Sequence, residues 1–242
     1  AAWLKLGDEA EYLPMQYGQD YSKSENTFPV EDREIYILDF SFPRRVMDVL
    51  FAQAKRVVWL DHHRTAFEMW CDSYQGGMPC FPYQGERNFC QMYNQGNNHK
   101  GYILLDNNKS GALLAWEYFH PDTEVPMLIR HIDDRDRWQF KLKGSKELHA
   151  ALASYRPWDF EQWAEYLADN DWYGQLWTEG AAILRAQDAA VAQAVKHARS
   201  CVIRIYNPQH DSWQRAEYGP EEFSGLAVSC PLHQSEIGHE LA

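Results

Sequence analysis

Two short apolar runs near the start of the chain, separated by an amphipathic stretch, predict two β-strands joined by a helix. Residues 34–39 read Glu-Ile-Tyr-Ile-Leu-Asp and residues 56–60 read Arg-Val-Val-Trp-Leu. Successive apolar positions are typical of strands buried on both faces. Residues 44–55 carry apolar side chains at helical spacing after a proline in the first turn. This order predicts a βαβ unit with parallel strands and a right-handed crossover.

The rest of the pattern is mostly helical. Residues 1–7 are expected to be the end of a helix that Gly7 terminates. Residues 66–108 are rich in Gly, Asn, Gln, Tyr and Cys, and they predict a long loop or insertion. The remaining predicted elements are helices over 112–119, about 126–132, within the tryptophan-rich stretch 145–178 and over 178–199, strands over 201–206 and 226–230, and a helix from Ser235.

These elements predict an α/β fold in which a parallel β-sheet is flanked by helices. The sheet domain is expected over residues 1–178. Residues 179–199 are alanine-rich and contain no glycine after Gly180, which favours a connector helix. Residues 200–242 are expected to begin a smaller α/β domain that the sequence does not finish.

Both predicted strands end in an aspartate. Asp39 ends the first strand, and Asp61 follows the second and is itself followed by His62 and His63. Because the carboxyl ends of parallel strands meet at the edge where open α/β sheets bind ligands, we expect these four side chains to converge. A single aspartate at a strand end is as often a helix cap or a turn residue. Two strands with the same ending favour a functional site.

A further set of acids, Asp133, Asp134 and Asp136, follows the helix predicted near residue 132. Three carboxylates within four residues repel one another unless cations balance them. Arg135 and Arg137 could do this structurally, and a metal ion could do it catalytically. Carboxylates together with imidazoles form the ligand set of Mn²⁺ or Mg²⁺ rather than that of a thiolate zinc site.

Composition and charge limit the kinds of partner that we expect for this protein. The 242 residues are 45% hydrophobic, which is typical of a globular protein. No apolar run approaches the roughly 20 residues of a membrane-spanning helix, and no signal peptide opens the sequence. The five cysteines form no Cys-x-x-Cys pair, so we expect reduced thiols and a cytoplasmic location. The net charge of −12 disfavours long nucleic acids and favours a small phosphate-containing ligand.

Four blocks occur together and in order over residues 1 to about 140. They are Asp39, then Asp61-His62-His63, then Ser110-Gly111-Ala112 with Trp116-Glu117-Tyr118-Phe119, and then Asp133-Asp134-Arg135-Asp136. The set resembles the DHH phosphoesterase superfamily, which includes RecJ-type exonucleases, oligoribonucleases, cyclic-dinucleotide phosphodiesterases and manganese pyrophosphatases. Residues 181–199 and 231–238 resemble the family's linker and the opening of its C-terminal substrate-binding domain.

The resemblance implies a role for each site residue. Asp39 resembles the carboxylate that bridges two metal ions, and His62 resembles a ligand of one of them. His63 is expected to face the substrate phosphate. Asp61 is expected to accept a hydrogen bond that fixes the histidine tautomer, a common arrangement around metal-bound imidazole. The implied cofactor is a pair of Mn²⁺ ions, with Mg²⁺ as the alternative.

The last block leaves a choice of ligand, because Asp134 best matches the final metal ligand and Asp136 is its rival. Two further blocks of the family have no counterpart in the sequence. The first, a strand with a histidine and aspartates, is expected upstream of Ala1, and a glycine-rich substrate loop is expected beyond Ala242. The 242 residues alone are therefore expected not to hold both metal ions.

The function that the resemblance implies is hydrolysis of phosphodiester bonds in short oligonucleotides or dinucleotides, by water that two metal ions activate. Hydrolysis of pyrophosphate or polyphosphate is the alternative enzyme activity. An inactive nucleotide-binding scaffold is the alternative from another class, although such a scaffold has no physical reason to keep so many like charges together. A homodimer is compatible with all three readings.

Overall fold

The computed structural model describes residues 1–19, 21, 28–71, 89–94, 100–155, 159–204, 222–229 and 233–241. The helices in these ranges are α1 (Ala2–Leu6), α2 (Arg44–Gln53), α3 (Arg64–Cys71), α4 (Gly111–Phe119), α5 (Met127–Asp136), α6 (Ser145–Ser154), α7 (Phe160–Ala168), α8 (Tyr173–Lys196) and α9 (Gln234–Leu241). The strands are β1 (Glu34–Leu38), β2 (Arg56–Asp61), β3 (Phe89–Asn94), β4 (Lys100–Asp106), β5 (Arg199–Arg204) and β6 (Glu222–Ala227).

The main sheet has four strands in the order β1-β2-β4-β3. Strand β1 pairs in parallel with β2, and β2 pairs in parallel with β4, so that Trp59 stands between Ile37 and Ile103. Strand β3 runs antiparallel along the far side of β4. The predicted parallel βαβ unit is confirmed, and the molecule is a mixed α/β structure with three parallel strands flanked by helices.

The prediction of a long loop over residues 66–108 is wrong. Helix α3 extends to Cys71, and strands β3 and β4 occupy 89–94 and 100–106, while residues 72–88 and 95–99 lie outside the described parts. Strand β4 contains Tyr-Ile-Leu-Leu-Asp, an apolar run with a terminal aspartate like those of β1 and β2. The polar composition of the surrounding residues concealed this third parallel strand.

The sheet is covered by helices on both faces because its central strand is apolar on both. On one face, Val57 and Trp59 pack in a cluster with Met47 and Leu50 of α2. On the other, Val58 and Leu60 pack against Leu114 of α4. Burial of each such side chain contributes about 1.5–3 kcal/mol. Both clusters hold the carboxyl end of β2 in place, and the site residues follow that end.

A third cluster joins the later helices to one another. Leu128 of α5, Leu148 and Leu152 of α6 and Leu176 of α8 are buried together. Helix α8 passes so close to α6 that a Cβ atom on Gly180 would overlap with the backbone of Glu147. Glycine at this position therefore allows the two helix backbones to touch.

The termini of the predicted elements differ from the structure in several places. Helix α1 ends before Gly7, whose φ of 54° is favourable for glycine, as expected. Helix α8 begins at Tyr173, before the predicted start of the connector, and its first turns pack against α6. Strands β5 and β6 form an antiparallel pair and begin before their predicted starts.

The side of β1 away from β2 is an edge of the described sheet. A cavity of about 1000 Å³ runs along this edge. It is lined by every residue of β1, by part of α1 and by residues 9–15. Among the helices that the structure describes, none has both the length and the apolar character needed to span a lipid bilayer.

Candidate metal centre

Asp39 lies directly after β1, where the chain turns out of the sheet. Its backbone N–H donates to Leu60 O at 2.9 Å, which ties this turn to the end of β2. Its φ of 56° is in the left-handed region, which aspartate tolerates better than most residues because its short polar side chain can bond locally. The turn therefore directs the side chain of Asp39 toward the carboxyl end of the neighbouring strand.

The first turn of α4 lies against this carboxylate. Gly111 is the first residue of α4, and a Cβ atom there would overlap with the carboxyl group of Asp39. The N-terminal end of a helix is favourable for a negative charge because its backbone N–H groups have no partner within the helix. The block Ser110-Gly111-Ala112 thus contributes to the site through close approach of its backbone.

Asp61 is fully buried at the end of β2 and accepts several hydrogen bonds. Its Oδ1 accepts from the backbone N–H of His62 at 2.7 Å and lies 2.7 Å from His63 Nδ1. Its Oδ2 accepts from the hydroxyl of Ser41. Burial by itself would raise the pKa of Asp61, but the bonds from His63 and Ser41 outweigh it and the pKa is lowered. Asp61 is therefore a charged anchor inside the protein.

The side chain of His63 is held by Asp61. Because an ionised carboxylate only accepts hydrogen bonds, Nδ1 of His63 carries a proton. The hydrogen bond from Asp61 raises the pKa of His63, against the opposing effect of burial. Sequence reasoning expected this tautomer-fixing role for Asp61, and the histidine that Asp61 holds in the structure is His63.

His62 lies between two other carboxylates. Its Nε2 is 3.2 Å from Asp39 Oδ1 and 3.3 Å from Asp136 Oδ2. The hydrogen bond to Asp39 raises the pKa of His62, while burial opposes the rise. Burial also raises the pKa of Asp136, and the charge of Asp39 acts in the same direction. The imidazole of His62 is thus flanked by two carboxylates that come from different elements.

The acidic run lies within helix α5 and its three carboxylates face different neighbours. Successive residues of a helix are about 100° apart around the axis. Asp136 reaches His62. Asp133 accepts a hydrogen bond from the backbone N–H of Ser110 at 2.6 Å, just before α4. The run therefore combines a site residue with a residue that fixes the start of α4.

The side chain of Asp134, expected to be the last metal ligand with Asp136 as its rival, makes its contacts away from this cluster, and the carboxylate of α5 that reaches His62 is that of Asp136. The buried carboxylate of Asp134 accepts from the backbone N–H groups of Lys141 and Leu142, at 2.8 and 3.0 Å, and from the hydroxyl of Ser145 at 2.6 Å. These donors outweigh the effect of burial and lower the pKa of Asp134. Asp134 holds the chain between α5 and α6, because helical geometry turns it away from Asp136.

The third parallel strand ends in Asp106, which sequence reasoning missed together with the strand itself. Asp106 Oδ1 accepts from the backbone N–H of Asn108 at 2.8 Å, as in a turn that a side chain closes. Asp106 is therefore a turn residue, which is the local role that an aspartate at a strand end often has. Tyr17 was also missed as a neighbour of the centre, although its ring centroid lies 6.1 Å from that of His63.

The cluster contains the ligand types of a divalent-cation site. Ligand atoms of Asp39, His62 and His63 lie within 4.8 Å of one another, and no second group of this kind occurs in the described part of the chain. Two ligands at adjacent positions around an ion with bonds of about 2.1 Å are about 3 Å apart. The distances from His62 Nε2 to Asp39 and Asp136 are close to this value. Oxygen and imidazole ligands of this kind suit Mn²⁺ or Mg²⁺.

Comparison with known proteins gives little further guidance. No family model matches the chain, and no solved structure matches it. A relative is the protein named "Uncharacterized protein R106" from Acanthamoeba polyphaga mimivirus, which is 24% identical over 221 residues. The match covers 86% of this chain and 46% of the relative, so the chain spans less than half the length of that protein.

Proposed function

We propose that the protein is a metal-dependent phosphoesterase that hydrolyses phosphodiester bonds in short oligonucleotides or dinucleotides. The observation that supports this most is the convergence of Asp39, His62 and His63, from the ends of two parallel strands, with Asp136 from α5. The same residues belong to the blocks that resemble DHH phosphoesterases. A net charge of −12 favours small substrates over long polyanions.

The residues of the centre would have two roles, cation binding and contact with the substrate phosphate. Asp39 and His62 would hold the cation, and Asp136, whose carboxylate reaches His62 Nε2, would be a further ligand. A divalent cation bound there supplies a Lewis acid for the phosphoryl oxygens and lowers the pKa of water. His63 would contact the substrate phosphate as a cation, because Asp61 accepts its Nδ1 proton and favours the charged ring.

A second cation would need more carboxylates than Asp39 and Asp136 provide. The family resemblance implies that a further strand supplies them. The open edge of β1 and the cavity of about 1000 Å³ beside it would accommodate such a strand. A parallel strand at this edge would end next to Asp39, because parallel neighbours end on the same side of a sheet. A strand at this edge would therefore be placed to supply ligands for a second cation.

Calorimetric titration with Mn²⁺, followed by turnover assays on the full-length protein, tests the proposal. We expect Mn²⁺ binding that Asp39→Asn weakens, and release of mononucleotides from a dinucleotide. Faster hydrolysis of pyrophosphate than of the dinucleotide would favour the phosphoanhydride activity instead. A protein that binds nucleotides but no Mn²⁺ would be a scaffold, and the proposal would be wrong.

A further inference from the structure

A small cavity lies beside the candidate metal centre. Its volume is about 310 Å³, at the lower end of the range for pockets that bind small molecules. It is lined by Gln16, Tyr17 and Gln19 on one side and by Phe40 and Ser41, after β1, on the other. None of the described residues that line this cavity is a proposed metal ligand or the proposed phosphate contact.

Tyr17 presents an open aromatic surface at the cavity. One face of its ring is stacked on Phe40, with centroids 4.5 Å apart and an angle of 27° between the planes. Its hydroxyl accepts a hydrogen bond from the backbone N–H of Ser41 at 3.3 Å. The residue is nevertheless 59% exposed. Tyr17 is therefore held at both its ring and its hydroxyl while much of its surface remains open to a ligand.

One residue that lines the cavity also contacts the phosphate-facing side of the centre. The rings of Tyr17 and His63 lie at an angle of 72°, with centroids 6.1 Å apart. Ser41 lines the cavity and also donates to Asp61, which in turn holds His63. A ligand in the cavity would thus lie one side chain away from the residue that we expect to contact the phosphate.

We propose that this cavity binds a nucleobase of the substrate, with the base stacked on Tyr17. This inference rests on the proposed function and specifies its substrate as a nucleotide rather than an inorganic phosphate. One sugar ring separates a base from its phosphate, which matches the short step from His63 to Tyr17. Stacking tolerates any base, and the side-chain amides of Gln16 and Gln19 offer both donors and acceptors to a base edge.

Equilibrium binding separates the base subsite from the metal centre. The Mn²⁺-loaded full-length protein is titrated by calorimetry with adenosine 5′-monophosphate and with ribose 5-phosphate, which lacks the base. We expect the nucleotide to bind at least about tenfold more tightly than the sugar phosphate. The difference should disappear in Tyr17→Leu and persist in Tyr17→Phe, which keeps the ring. Trp177→Leu, which changes an aromatic of α8 that lines neither cavity, should leave both affinities unchanged.

Kinetics provide the second measurement. We expect Tyr17→Leu to lower kcat/KM for a dinucleotide about tenfold and to leave kcat/KM for an abasic analogue of the dinucleotide unchanged. Equal affinities for the two monophosphates in the unmodified protein, with Mn²⁺ binding intact, would overturn the base subsite and leave the proposed function standing. Absence of Mn²⁺ binding and of binding to either ligand would overturn both.

Discussion

At the scale of single residues, the two adjacent histidines are held in different ways. His62 lies between Asp39 and Asp136, whereas His63 is bonded to the buried Asp61. The two residues have separate surroundings because His62 contacts Asp39, which follows the neighbouring strand β1, whereas His63 contacts Asp61 at the end of its own strand β2. The pair should therefore differ in its response to mutation.

We expect His62→Ala to weaken Mn²⁺ binding by at least about tenfold, because it removes an imidazole that lies at ligand distance from two carboxylates. His63→Ala should keep Mn²⁺ affinity within a few-fold of the native value and should lower kcat/KM, because it removes a phosphate contact. Calorimetric titration and steady-state assays measure both quantities. Equal loss of Mn²⁺ affinity in the two variants would contradict this division of roles.

The acids of α5 offer a matched comparison of the same chemical change. Asp134→Asn should lower the free energy of unfolding by about 1–3 kcal/mol, because its carboxylate accepts from two backbone N–H groups and Ser145. Asp136→Asn should leave that free energy nearly unchanged and should weaken Mn²⁺ binding. Urea unfolding of the metal-free protein and calorimetry distinguish the two. The reverse pattern would restore Asp134 as the ligand.

At the scale of elements, the contact between α6 and α8 depends on one residue without a side chain. A Cβ atom on Gly180 would overlap with the backbone of Glu147, which cannot move aside as a flexible side chain can. The surrounding cluster includes Leu148 and Leu176. Separation of the two helices would therefore loosen the packing of α5 as well.

Gly180→Ala is expected to lower the free energy of unfolding by about 2 kcal/mol or more, as overpacking does in close-packed interiors. Gly174→Ala on the same helix is the control. No atom lies within 4 Å of a Cβ there, so the change should be neutral or stabilising by about 0.5 kcal/mol. Chemical denaturation of both variants measures the difference. Similar stabilities for the two would contradict the close contact.

The sequence predicted the elements whose local pattern agrees with their final environment. The run at residues 34–39 and the Asp61-His62-His63 block were placed correctly because apolar strands and polar strand ends are local signals. Strand β4 was missed because its neighbours are polar and its pairing with β2 is a long-range contact. The family resemblance favoured Asp134 over Asp136, and the sequence pattern, which predicted a helix to about residue 132, did not show that α5 continues through the acidic run.

At the scale of the whole molecule, folding stability should depend on pH through a buried network. His131 Nδ1 lies 2.9 Å from Ser145 Oγ, which itself donates to Asp134. Nδ1 is therefore a donor, and burial lowers the pKa of His131. Below the unfolded pKa of about 6.5 the unfolded chain binds more protons at this residue than the folded chain does. Its contribution to stability is thus present at neutral pH and is lost as the pH falls below that value.

We expect His131→Gln to reduce the free energy of unfolding more at pH 7 than at pH 5, because the native protein has already lost part of this contribution at pH 5. Urea denaturation of both proteins at the two pH values measures how much unfolding free energy the variant has lost. A loss that is equal at both pH values, or larger at pH 5, would contradict the assignment of a neutral, buried imidazole.

Two consecutive residues of α5 contact different parts of the molecule. Asp136 contacts His62, while Arg135 donates to Glu236 of α9 at 3.2 Å. A movement of α9 would act on α5 through this ion pair, one residue away from Asp136. We therefore expect a bound cation to stabilise the position of α9. Because linked equilibria are reciprocal, a well-packed α9 should in turn raise the affinity for the cation. Hydrogen exchange in α9 should slow when Mn²⁺ binds, and unchanged exchange would show that the two are uncoupled.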